Sequence, residues 1–123
     1  NFCVKNDILP ICYCPIGSPN RPGRDRTDTD EVDVEEPVVK RIAERLNIHP
    51  ATVCVKWAAQ RGTIPIPMSA NPRNILANIE STISEPLTAK EMRDMKQCEK
   101  DSRLIKGQVF MWIGSNGWQD LWK

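Results

Sequence analysis

The sequence predicts an α/β protein with parallel strand pairing, and three observations carry that prediction. Two short apolar, β-prone runs, ILPICYC (8–14) and TIPIPMS (63–69), are separated by two segments of helical pattern. Strand–helix–strand order within one sheet makes the strands parallel, joined by a right-handed crossover. Helix-start signals recur at Pro37, Asn71-Pro72 and Thr88, each just ahead of a helix-compatible stretch.

Residues 8 to 14 read as a short buried strand closed by Pro15. Pro10 removes one ladder donor near its start. A polar loop is expected over 17–36, with Pro19, Pro22, Gly23 and the run DRTDTDEVDVEE. Its alternating carboxylates lack the glycine and terminal glutamate of a calcium-binding loop, so they are read as solvated.

Pro37 suits the first turn of a helix, and VVKRIAERLN places Val38, Ile42, Ala43 and Leu46 on one face. A second helix starts at Pro50, with His49 at its cap. Its apolar positions are Val53, Cys54, Trp57 and Ala58, and Gly62 is its natural stop. In the second strand Pro65 and Pro67 alternate, so one edge lacks donors. Asn71 then caps a helix with Pro72 at its first position, and the first amides of that helix point toward the strand end. Thr88-Ala89-Lys90-Glu91 is a capping box opening a last helix to about Lys100. The tail, 104–123, has no period but holds Phe110, Trp112, Trp118 and Trp122. So many aromatics must cover something or be covered.

Composition narrows the function classes. With 123 residues and a formal charge of +1, the chain is one domain or part of one, and gives no electrostatic case for nucleic acid or acidic membranes. No apolar run approaches bilayer length, and the first residues show no signal-peptide pattern. Five cysteines (Cys3, Cys12, Cys14, Cys54, Cys98) and the single His49 lack zinc-ligand spacing, so no metal site is expected. They are read as reduced thiols of a cytoplasmic protein. Two parallel strands leave two open edges and bury little area, so the chain is expected to be part of a larger α/β domain.

Several of these segments resemble the C-terminal part of an aldo-keto reductase. Tyr13-Cys14-Pro15-Ile16-Gly17-Ser18-Pro19 is similar to the family's YSPLGSP, and Ile66-Pro67-Met68-Ser69 to its IPKS. Asn71-Pro72-Arg73-Asn74-Ile75 and Asn78 resemble the start of its cofactor helix. WAAQRG before the second strand is also similar to the family's sequences, and RLIKGQVF with the tryptophan-rich ending looks like a sugar- or aldehyde-reductase branch.

The resemblance implies the C-terminal part of a (β/α)8 TIM-type barrel: about two strand–helix units plus a C-terminal loop, incomplete as a standalone barrel. The whole chain, 1–123, would then be one partial reductase domain. The family transfers hydride from NADPH to aldehydes, aldoses or ketones, and the cofactor carries that chemistry. Tyr13 matches the tyrosine that stacks on nicotinamide. Ile16 and Ser18 match positions along the pyrophosphate, with Cys14 replacing a serine. Ser69, Ala70 and Asn71 match the stretch around the adenosine phosphate, and Asn78 matches an adenine contact.

Met68 stands where the family has a lysine, Asn74 where it has an arginine, and Ala77 where it has an acidic residue. Arg73 lies one position before the family's arginine. NADH is therefore as open as NADPH. Phe110, Met111 and Trp112 are expected to line the substrate pocket. The family's catalytic tyrosine, lysine, aspartate and histidine lie in its N-terminal half and have no match here, so no catalytic residue is assigned. The partners implied are a small carbonyl substrate and the N-terminal half of the barrel. The alternative is a non-catalytic truncated paralogue or half-barrel that binds a nucleotide, a partner or a second copy of itself.

Overall fold

A computed structural model of the chain describes residues 2–17, 23, 26, 28, 30–100, 104, 105, 107 and 110–122. Its order is α1 (Phe2–Lys5), β1 (Ile11–Cys12), α2 (Pro37–Leu46), α3 (Pro50–Gln60), β2 (Ile64–Pro65), α4 (Pro72–Ile83) and α5 (Ala89–Gln97). Short 3-10 turns lie at Asp33–Glu35 and Trp118–Trp122. β1 and β2 pair in parallel, Ile11 opposite Ile64 and Cys12 opposite Pro65.

The strands are shorter than the apolar runs suggest, for a chemical reason. Pro10 and Pro65 have no amide hydrogen, so the ladder is made by their neighbours. Ile64 N–H donates to the Pro10 carbonyl at 2.9 Å, and Ile66 N–H donates to the Cys12 carbonyl at 3.0 Å. Beyond Cys12 the chain turns at Cys14, whose φ of 48° lies in the left-handed region.

The helix caps follow the sequence closely. Pro37, Pro50 and Pro72 each occupy the first turn of a helix. His49 Nδ1 accepts from Ala51 N–H at 3.1 Å, and Asn71 Oδ1 accepts from Arg73 N–H at 2.9 Å. Both halves of the Thr88–Glu91 capping box form. α5 ends at Gln97, three residues before the expected stop.

The core sits on one side of the sheet, among helices. Val39, Ile42, Ala43, Val53, Cys54 and Leu87 form it. On α2 the buried face is Val39, Ile42 and Ala43, whereas Val38 and Leu46 are half-buried, a rotation from the expected face. The opposite side of the sheet corrects the expectation of a buried first strand. Ile11, Tyr13, Ile64 and Ile66 are all exposed, Ile11 at 66 %, as are Ile8 and Leu9 ahead of the strand. Alternation along a strand sends every second side chain to the same face, and among the described residues nothing covers this one.

Polar side chains lock the helices. Gln60 makes a paired amide contact with Leu87, donating to its carbonyl at 2.8 Å and accepting from its N–H at 2.9 Å. Arg45 forks onto Glu91 at 2.6 and 2.9 Å and reaches Glu85 at 2.5 Å, joining α2 to α5. The Lys56 ammonium, on α3, reaches the Ser81 carbonyl at 2.7 Å and Ser84 Oγ at 3.0 Å.

The burial pattern sets a contrast in stability. Ile42→Ala should cost about 2–5 kcal/mol, because Ile42 is 1 % exposed. Ile83→Ala, at an 81 % exposed position, should fall within about 0.5 kcal/mol. Urea unfolding of the two variants measures both.

Glu91 sets an acid dependence. Its carboxyl is held down at about 2 from an ordinary 4.5, chiefly by the Arg45 hydrogen bond and against the cost of burial. A depressed folded value stabilises above the unfolded value and loses that contribution as pH falls toward the folded one. The stability gap between the parent chain and Glu91→Gln should therefore be full near pH 7 and shrink between pH 4.5 and about 2. Urea midpoints at stepped pH measure it, and a constant gap would contradict the assignment.

Candidate cofactor edge at the strand ends

Parallel pairing brings the C-terminal ends of β1 and β2 together, so the segments that follow them become neighbours. Tyr13 to Gly17 leave β1, and Ile66 to Asn71 leave β2 and lead into α4. The row of candidate residues is thus assembled by topology, not by nearness in sequence. Ligands of open parallel sheets bind at this end of the strands.

Tyr13 is 60 % exposed on the bare face of the sheet, on the same side as Ile11. Its ring is available to a flat ligand. Cys14 is half-buried, and its left-handed backbone starts a turn closed by Gly17 N–H donating to the Cys14 carbonyl at 3.0 Å. Ile16 differs from a simple ligand-lining role, because its side chain packs against the helical core. What Ile16 can offer a ligand here is backbone. Ser18 lies outside the described residues.

On the second segment Met68 is 96 % exposed. Ser69 is half-buried, and its Oγ accepts from Asn71 N–H at 3.1 Å. Asn71 caps α4, so the side chains of Ser69 and Asn71 are both engaged in shaping its N-terminus. Ala70, Arg73 and Asn74 are exposed around that first turn, and Asn78 is half-buried one turn further along. The Asn78 carbonyl accepts from Ser81 Oγ at 2.6 Å. The helix terminus offers partial positive charge and Arg73 a full one.

Phe110, Met111 and Trp112 are exposed, and none of them lines the cavity that lies behind the loop. That cavity, of about 600 Å³, lies behind the loop between Pro15, Asp33, Val39, Cys54, Trp57 and Met95. It meets the strand-end row at Pro15. Cys54 in its wall is buried, and burial, with help from the Asp33 charge, pushes the thiol up to about 12.

Sequence reasoning passed over Lys56, Gln60 and the Arg45–Glu91 pair. The visible signal for Lys56 was a lysine inside the apolar run VCVKWAA. Arg45 and Gln60 sit where any solvated helix would carry a polar residue, so their roles depend on distant partners.

The sequence profile of the family described as "Aldo/keto reductase family" matches residues 1–100. This chain belongs to that family. "Aldo-keto reductase family 1 member A1" of Gallus gallus is 34 % identical over 103 residues, 84 % of this chain and 31 % of that protein. An aldo/keto reductase of Synechocystis is 31 % identical over 122 residues, 98 % of this chain and 37 % of that protein. "Glycerol 2-dehydrogenase (NADP(+))" of Saccharomyces cerevisiae is 36 % identical over 78 residues, 63 % of this chain and 22 % of that protein. The chain thus spans about a third of the reductases that it matches along most of its own length.

The loop geometry makes one position intolerant. A Cβ on Gly17, at φ +70°, would stand 2.5 Å from Asp33 Oδ2 and 2.7 Å from Leu104 Cδ1. Gly17→Ala should cost about 1–3 kcal/mol, whereas Gly62→Ala, with open space around its Cβ and φ +82°, carries only the backbone penalty. Thermal unfolding of the two variants separates the steric part from the conformational part.

Proposed function

We propose that this chain is the cofactor-binding C-terminal part of a nicotinamide-dependent carbonyl reductase. The observation that carries the reading is the strand-end row: an exposed aromatic, Tyr13, beside a segment that leads directly into a capped helix N-terminus. A bound nicotinamide dinucleotide supplies hydride to an aldehyde, aldose or ketone. In this reading Tyr13 presents its ring to one face of the nicotinamide and keeps the other face toward substrate. The backbone at Ile16, with Ser18, follows the pyrophosphate. Ser69, Ala70 and Asn71, with α4 behind them, receive the adenosine end, and Asn78 reads the adenine edge with its amide. Phe110, Met111 and Trp112 shape the substrate side.

The bare face of the sheet fits a barrel interior, and the open strand edges fit neighbouring barrel strands. The family's length supplies the occupant: about two thirds of the Gallus gallus reductase lies outside the match. A second copy of this chain fits less well. Its two free strand edges differ, so parallel addition of copies is head-to-tail and a dimer leaves edges exposed. Proton donation to the carbonyl is assigned to the N-terminal part of the barrel, and this chain alone should bind cofactor without reducing carbonyls.

Met68 and Asn74 carry the cofactor preference. Neither is charged, and the positions that would face a 2′-phosphate retain only Arg73 as a cation. Each absent charge-assisted bond is worth about 1.5–3 kcal/mol. The chain should therefore bind NADH and NADPH with similar affinity. Met68→Lys combined with Asn74→Arg should raise NADPH affinity about tenfold or more per restored bond and leave NADH nearly unchanged. Titration followed by nicotinamide fluorescence measures both; a strong NADPH preference in the unaltered chain would sink this assignment.

A further inference from the structure

We propose that Lys56 is a positioning residue for the cofactor edge: its buried ammonium holds the far end of α4 and so sets the direction of the helix that presents Asn71, Asn74 and Asn78. The inference rests on the cofactor reading above and adds to it a residue far from the ligand.

Lys56 is 3 % exposed, although lysine is almost never fully buried without partners. Its three ammonium hydrogens have three acceptors, all at the end of α4. These are the Ser81 carbonyl at 2.7 Å, Ser84 Oγ at 3.0 Å and the Ser84 carbonyl at 3.4 Å. A cation on the C-terminal carbonyls of a helix also opposes the negative end of its dipole.

α4 packs along α3, and the Lys56 ammonium sits at the most buried point of that contact. The only buried residue of α4 is Ser81, the residue Lys56 grips. Ile75, Leu76, Ile79 and Ile83, which would anchor an ordinary amphipathic helix, are all exposed. Besides its packing along α3, α4 is tied at its N-terminus through the short segment 66–71 and at its C-terminus by the Lys56 ammonium. Between these ties lie 12 residues, a lever of about 18 Å at 1.5 Å per residue. A tilt at the far end therefore turns the first-turn side chains relative to Tyr13. Lys56 lies on α3, where Thr52, Val53, Cys54, Val55 and Ala58 are buried as well, so among the described helices the clamp is mounted on the one with the most buried residues.

The test compares Lys56→Met, Lys56→Arg and Ser84→Ala in the full chain. Two half-ligands are used as probes, adenosine 2′,5′-bisphosphate and nicotinamide mononucleotide, with amide hydrogen exchange read in parallel. Lys56→Met should weaken the adenosine probe tenfold or more and leave the nicotinamide probe within twofold. Amides of Ile75–Ser81 should exchange at least tenfold faster while those of α2 are unchanged. Lys56→Arg, keeping charge and donors, should restore most of both effects. If Lys56→Met does not fold, Ser84→Ala, which removes one acceptor, should show the same pattern at smaller size.

Equal weakening of both probes would overturn the proposal in favour of a general stabilising role. Unchanged α4 exchange, or faster exchange with full adenosine affinity, would also overturn it. If the unaltered chain takes up neither probe, the cofactor reading fails. The exchange data then decide separately whether Lys56 holds α4, and unchanged exchange refutes that too.

Discussion

Two backbone hydrogen bonds, from Ile64 to the Pro10 carbonyl and from Ile66 to the Cys12 carbonyl, set where the segments leaving both strands lie. Their register is unambiguous. Parallel pairing at Ile11 and Ile64 sends the chain off the sheet at the same end twice. The segments that begin at Tyr13 and Ile66 leave the sheet side by side for that reason alone. A slip of one residue would invert every side chain along the strand and turn Tyr13 toward the helices.

Around this short ladder the helices supply the stability the sheet cannot. The apolar core belongs to α2, α3 and the Leu87 connector, and polar clamps fix the remaining helices to it. Arg45 and Glu91 hold α5, Gln60 holds the segment before it, and Lys56 holds α4. Each of these pairs is at least partly buried and joins residues far apart in sequence, the condition under which charge-assisted bonds fix geometry better than surface ion pairs do. The surface pairs Lys40–Glu35 and Lys100–Glu31 contribute little by comparison.

Local chemistry was legible in the sequence. Prolines at helix starts, the His49 and Asn71 caps and the Thr88–Glu91 box are read from neighbours within three residues, and the structure places all of them as expected. Burial was less legible. ILPICYC has the composition of a buried strand, but burial depends on what covers a face, and among the described residues nothing covers this one. The row from Tyr13 to Asn78 was visible through its resemblance to family segments and through strand–helix order. The clamps were not, because Lys56, Gln60 and Arg45 acquire partners 25 to 46 residues away, and only Lys56, inside an apolar run, carries a local sign of its role.

The central claim is that the strand ends form a nicotinamide-dinucleotide edge that exists in this chain without the residues that move a proton. Chemical-shift mapping of the chain during NADH titration tests it most directly, with the Met68 methyl and the backbone amides as reporters. The account predicts shifts at Tyr13 to Gly17, at Met68 and along Asn71 to Asn78, with the core amides of α2 silent. Shifts centred instead on Val39, Cys54 and Trp57 around the cavity, or none at millimolar cofactor, would contradict it.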